Sequence, residues 1–204
     1  MTKPLTALTA SMLALVMLAA PAFAANSAAE IEREARAALD RLYADNREAR
    51  LISGEAHAVL VFPVVSKAGL MIGGQYGEGV LFKRGKVAGH YNTGGASYGL
   101  QAGAQQYGYA MFFMNDQALA VLDNADGFEI GVGPSVVVID KGLASSTTTK
   151  TLNEDIYAFI FNQQGLMAGI GLQGNKITKV DSASGWTPGS IVPEKKDVEK
   201  YLPW

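Results

Sequence analysis

The chain has 204 residues, 17 Lys and Arg against 19 Asp and Glu, a net charge of −2 and no cysteine. That balance carries no whole-chain basic field, which argues against nucleic acid as a partner, and the absence of cysteine excludes disulfides and a cysteine-linked lipid anchor. A hydrophobic content of 49% with 23 glycines fits a compact β-rich domain rather than a disordered chain.

Lys3, an apolar run over residues 5–20 and Ala22-Phe23-Ala24 read as an export signal, with cleavage near Ala24. The expected organisation is therefore a signal peptide over 1–24, one domain over 25–180 and a tail over 181–204 rich in Pro, Ser, Gly and Lys. The expected location is the periplasm or the exterior, with peripheral membrane association and no lipoprotein anchor.

Residues 27–52 predict one amphipathic helix: Ile31, Ala35, Ala38, Leu39, Leu42 and Ala49 share a face. Arg33, Arg36, Arg47 and Arg50 fall on one flank of that face, and Glu30, Glu34, Asp45 and Glu48 on the other. Two readings stand: a helix packed on a sheet, or a surface helix that places arginines beside lipid headgroups.

AVLVFP at 58–63 predicts a buried strand, and KRGK at 83–86 a turn between VLF and VAGHY, giving a β-hairpin with a basic tip of Lys83, Arg84 and Lys86. GLMIGGQYG (69–77), GLQAGAQ (99–105) and GLMAGIGLQ (165–173) alternate apolar residues with Gly and Gln. This is a strand pattern with one nearly bare face, which favours tight curvature or close backbone approach. Gln75, Gln101, Gln105 and Gln173 lie on that face, forming a buried polar network if it is interior and an ordinary surface if it is solvated.

YAMFFM at 109–114 predicts a strand buried on both faces, and Asn115 caps a short helix in DQALAVLDN. EIGVGPSVVVI at 129–139 predicts a long strand bent at Gly133-Pro134, followed by a polar connection, the strand IYAFIF at 156–161 and the strand KITKV ending at Val180. The sum is an α+β protein. Its sheet is strongly curled, antiparallel, barrel-like or sandwich-like, with about eight strands, an N-terminal amphipathic helix and a short helix packed outside.

Catalytic motifs are weak. GASYG at 95–99 matches G-x-S-x-G, but the segment continues as a strand, and His57 and His90 both precede Ser97. Two histidines without cysteine make no transition-metal set, and LDNADG at 122–127 lacks the ligands of a calcium loop. No cofactor is expected. Gly-rich strands and export also suit a transmembrane barrel, but several strands are continuously apolar and the chain ends in the charged segment EKKDVEKYLPW.

The blocks VLVFP (59–63), KAG (67–69), GGQYGEGVL (73–81), ASYGLQAGAQ (96–105), YAMFFMN (109–115), GVGPSVVV (131–138), YAFIF (157–161) and GLMAG (165–169) together resemble the SYLF, or Ysc84-type, domain family over roughly residues 30–180. The resemblance implies a non-enzymatic lipid-binding domain. Eukaryotic members bind phosphoinositides partly through a basic amphipathic segment near the domain's N-terminus, matched here by the helix bearing Arg33, Arg36, Arg47 and Arg50, and some bind actin. With its export signal this chain resembles the stand-alone bacterial branch, for which actin is an unlikely partner and anionic phospholipids of the cell envelope are the expected one. The alternatives are an envelope protein-interaction module and, more remotely, a Ser97 hydrolase.

Overall fold

The computed structural model describes residues 27–124, 127–139, 154–165, 172 and 174–180. The expected signal peptide, the polar connection over residues 143–152 and the tail lie outside the described residues.

Ser27 caps the first helix, α1 (Ala28–Asp45), its side chain accepting from the Glu30 amide at 3.3 Å. The helix buries Ile31, Ala35, Ala38, Leu39 and Leu42, as their spacing predicts. The single helix expected over 27–52 is instead two. Asn46 adopts extended backbone (φ −132°, ψ 106°), ends α1, and accepts from the Ala49 amide at 2.9 Å to start α2 (Arg47–Glu55). An asparagine that can cap a new helix competes with continuation of the old one.

Two long strands follow, β1 (Ala58–Lys83) and β2 (Lys86–Phe113), paired antiparallel from Ala58↔Phe113 to Lys83↔Lys86. Each absorbs several of the short strands expected from the sequence. The two-residue turn between them has positive φ at both positions, 50° at Arg84 and 74° at Gly85, the geometry that matches the twist of a hairpin. A straight strand of this length would span roughly 85 Å. Register shifts at Phe62/Val65, Leu70/Ile72 and Leu81/Phe82 bend it instead. β1 curls until its last third lies over its own beginning. A Cβ on Gly79 would sit 2.6 Å from the Val61 carbonyl oxygen, and one on Gly77 2.9 Å from that of Val64. The bare positions in GGQYGEG are therefore where the strand meets itself.

The other edge of β2 is shared. β5 (Ile156–Gly165) pairs with its 105–113 half and β6 (Lys176–Val180) with its 90–94 segment. The long strand expected over 129–139 is broken. Gly131 and Gly133, both near φ 100°, turn the chain between β3 (Phe128–Glu129), which pairs with β6, and β4 (Val136–Ile139). β4 runs parallel to β5, so the curled sheet is mixed rather than wholly antiparallel, with six strands among the described residues. The short helix α3 (Asp116–Ala120) is capped by Asn115, which accepts from the Ala118 amide at 2.7 Å, and runs on as a single 3-10 turn.

Both faces of the sheet are buried. Val61, Val80, Phe112, Phe159 and Phe161 pack against α1 and α2. Leu60, Phe62, Tyr107, Tyr109, Met111 and Phe113 point to the other side and pack with Leu119, Leu122, Phe128 and Ile177.

Candidate functional site

Because the hairpin curls, its basic tip returns to the place where β1 begins, beside α1 and the end of α2. There it forms two adjoining open pockets, of about 390 and 520 Å³, that share Ala56 and Arg84. The first is walled by Arg36, Asp40 and Tyr43 of α1, Ser53 of α2, and Phe82 and Arg84 of the hairpin. The second is walled by His57, Lys83, Arg84, Asp116 and Leu119.

Arg36 joins helix to tip. Its Nη1 donates to the Gly85 carbonyl at 3.1 Å, and its guanidinium carbon lies 4.8 Å above the Phe82 ring. This cation–π placement fixes the charge without neutralising it. Arg84 occupies a left-handed position where Asn, Asp or Gly is the usual occupant. A strained backbone position given to an arginine marks a candidate site. In the second pocket His57 Nδ1 and Asp116 Oδ1 lie 2.8 Å apart. The hydrogen bond and charge of His57, followed by Lys83 and Arg84, hold the Asp116 carboxyl below the usual carboxylate range.

Of the seven basic residues singled out from the sequence, the structure brings Arg36, Lys83 and Arg84 together, with Lys86 opposite Lys83 in the turn. Arg33 is exposed and faces Glu30 at 3.7 Å. Arg47 and Arg50 belong to α2, beyond the Asn46 break, and line neither pocket. Asp40, Tyr43, Ser53, His57 and Asp116 were not visible as site residues, because only the curl of the hairpin makes them neighbours of the tip.

Ser97 lies within β2 opposite Gly73, and the strand continues through it, so the strand–turn–helix setting of a nucleophile elbow is absent. Its side chain is outside the described residues. Among the described residues no three His, Cys, Asp or Glu side chains group as a metal site.

For the Gln-bearing face, the interior reading holds at Gln75 and Gln105; the side chains of Gln101 and Gln173 lie outside the described residues. Tyr107 donates its hydroxyl proton to Gln75 Oε1 at 2.9 Å, and Gln75 Nε2 donates to Asn175 Oδ1. Tyr109 donates to Thr93 Oγ1 at 2.8 Å. Gln105 is buried.

The described residues thus form a curled sheet with helices on one face and a partly polar interior. Residues 94–185 match the family model Ysc84, described as Las17-binding protein actin regulator. That part of the chain, from the middle of β2 through β6, is similar to the Ysc84 (SYLF) family. The matched segment is shorter than the 30–180 span of the sequence resemblance, and Arg36, Lys83 and Arg84 all precede it. No curated protein matches the chain significantly.

Proposed function

We propose that this protein is a non-enzymatic lipid-binding protein of the cell envelope, reached after export, which docks on membranes through anionic phospholipid headgroups. The observation that carries this reading is the convergence of Arg36, Lys83 and Arg84 around two open pockets where the hairpin tip meets α1. The association of the Ysc84 family with lipid and actin binding supports a membrane partner. A guanidinium presents several donors in a plane suited to phosphate oxygens. Each basic residue at an anionic surface contributes about 1 kcal/mol, reduced by salt.

The test is co-sedimentation with anionic and with zwitterionic vesicles at low and high salt. The expected result is selective, salt-sensitive pelleting with anionic vesicles, weakened roughly tenfold or more by the double variant Lys83→Gln/Arg84→Gln, as the loss of two such contacts requires. Equal pelleting with both vesicle types, or unchanged binding by the double variant, defeats the reading. The printed family description, a Las17-binding protein, favours one other reading, a protein-interaction module. Capture of a defined envelope protein without lipid, together with no pelleting, would establish that instead.

A further inference from the structure

Inside the curl, away from the hairpin tip, the sheet buries a lysine. Lys67 of β1 is 8% exposed, and its cross-strand partner Gln105 of β2 is 7% exposed. Directly paired residues of an antiparallel ladder share a face, and Gln105 shares its face with Tyr107 and Tyr109, two and four residues on. Lys67 makes no hydrogen bond or ion pair with any described residue. Gln105 Oε1 has no donor, and further along the interior Asn175 Nδ2 has no acceptor. Buried amide groups are ordinarily paired, because leaving them unpaired forfeits their hydration. One step along the ladder from Lys67 and Gln105, Gly69 faces Gly103, so the floor beside them has no side chains.

We infer that Lys67 and Gln105 form a second ligand site, on the Gly-rich face, for a phosphate ester that also carries a hydroxyl group. Lysine offers only donors, and these suit a phosphate oxygen. The orphaned Gln105 Oε1 needs a donor, which the hydroxyl supplies. Gly69 and Gly103 add no side chain beside Lys67 and Gln105. A glycerol phosphate has this combination whether it is free or forms the headgroup of phosphatidylglycerol. The site shares no lining residue with the pockets at the hairpin tip, so it stands or falls independently of surface docking.

The experiment titrates the protein with inorganic phosphate, glycerol 1-phosphate and phosphatidylglycerol vesicles, following the Gln105 side-chain amide by NMR and affinity by calorimetry. Glycerol 1-phosphate should bind more tightly than inorganic phosphate and move the Gln105 signal. Lys67→Met should weaken that binding at least tenfold while melting no lower than the parent, since an apolar side chain of similar length keeps the packing of the buried lysine stem. Lys67→Gln serves as the second variant should Lys67→Met not fold. The tip variant Lys83→Gln/Arg84→Gln should bind glycerol 1-phosphate like the parent. A Lys67-dependent response to vesicles alone would assign the ligand to the lipid headgroup. Three results overturn the inference: no shift of Gln105 with any of the three probes, binding indifferent to Lys67, or a Lys67→Met protein that melts lower yet binds normally.

Discussion

The two faces of the long hairpin are buried by different means. Toward α1 and α2 the contacts are apolar, with Phe112 and Phe159 edge to face at 5.4 Å and small residues such as Ala35 and Ala38 letting the helix approach. On the inner face, large apolar side chains alternate with groups that need partners: Tyr107 with Gln75, Tyr109 with Thr93, and Gln105 Oε1 without one. An apolar face is satisfied by contact alone, whereas a polar interior is satisfied only by particular geometry. The first kind of face holds a fold together; the second is suited to select a ligand.

The largest test of this contrast is Phe112→Ala. The ring is fully buried under the helices, and its loss should cost about 3–5 kcal/mol, as large-to-small core substitutions do. Urea denaturation should show a much lower midpoint with an unchanged slope. On the inner face Tyr107→Phe should cost only about 1 kcal/mol, the net worth of one hydrogen bond, so equal losses would dissolve the distinction.

Alkaline pH should act mostly through the inner face, although burial also raises Tyr43 on the helix side. Burial pushes the Tyr107 and Tyr91 hydroxyls up to about 12 and that of Tyr109 higher still. Unfolded tyrosine titrates near 10. Between these values the unfolded chain has released protons that the folded chain still holds, so stability is intact below about pH 10 and falls as pH rises toward 12. Tyr107→Phe should flatten that decline, as followed by urea midpoints across the range; an unchanged slope would remove Tyr107 from the account.

Local signals in the sequence were enough for the cap at Asn115, the turn at KRGK, the buried strand YAMFFM and the curl announced by the Gly-rich alternation of residues 69–77. Where a local signal had a competitor, the reading failed. Asn46 sits within a run of helix-compatible residues and nonetheless restarts the helix. Gly131 and Gly133 turn a segment whose valines suggest one strand, and the parallel β4–β5 pairing depends on contacts distant in sequence. The basic cluster was half legible. The tip was plain as KRGK, but its alliance with Arg36, 49 positions from Gly85, exists only because β1 curls upon itself.

That alliance separates two arginines that share one helix flank. Arg33 is mostly exposed and meets Glu30 at 3.7 Å, a pair of the kind that contributes little in water. Arg36 lies over Phe82 and holds the Gly85 carbonyl. Arg33→Gln should therefore shift stability by less than about 0.5 kcal/mol, and Arg36→Gln by about 1 kcal/mol through the lost ring contact. Urea midpoints for the two variants would show the difference. On anionic vesicles Arg36→Gln should also weaken binding more than Arg33→Gln, because it removes a charge beside the pocket and loosens the tip that carries Arg84. Equal effects on vesicle binding would mean that the helix flank acts as a diffuse charge. The pocket at the hairpin tip would then have no special part in it.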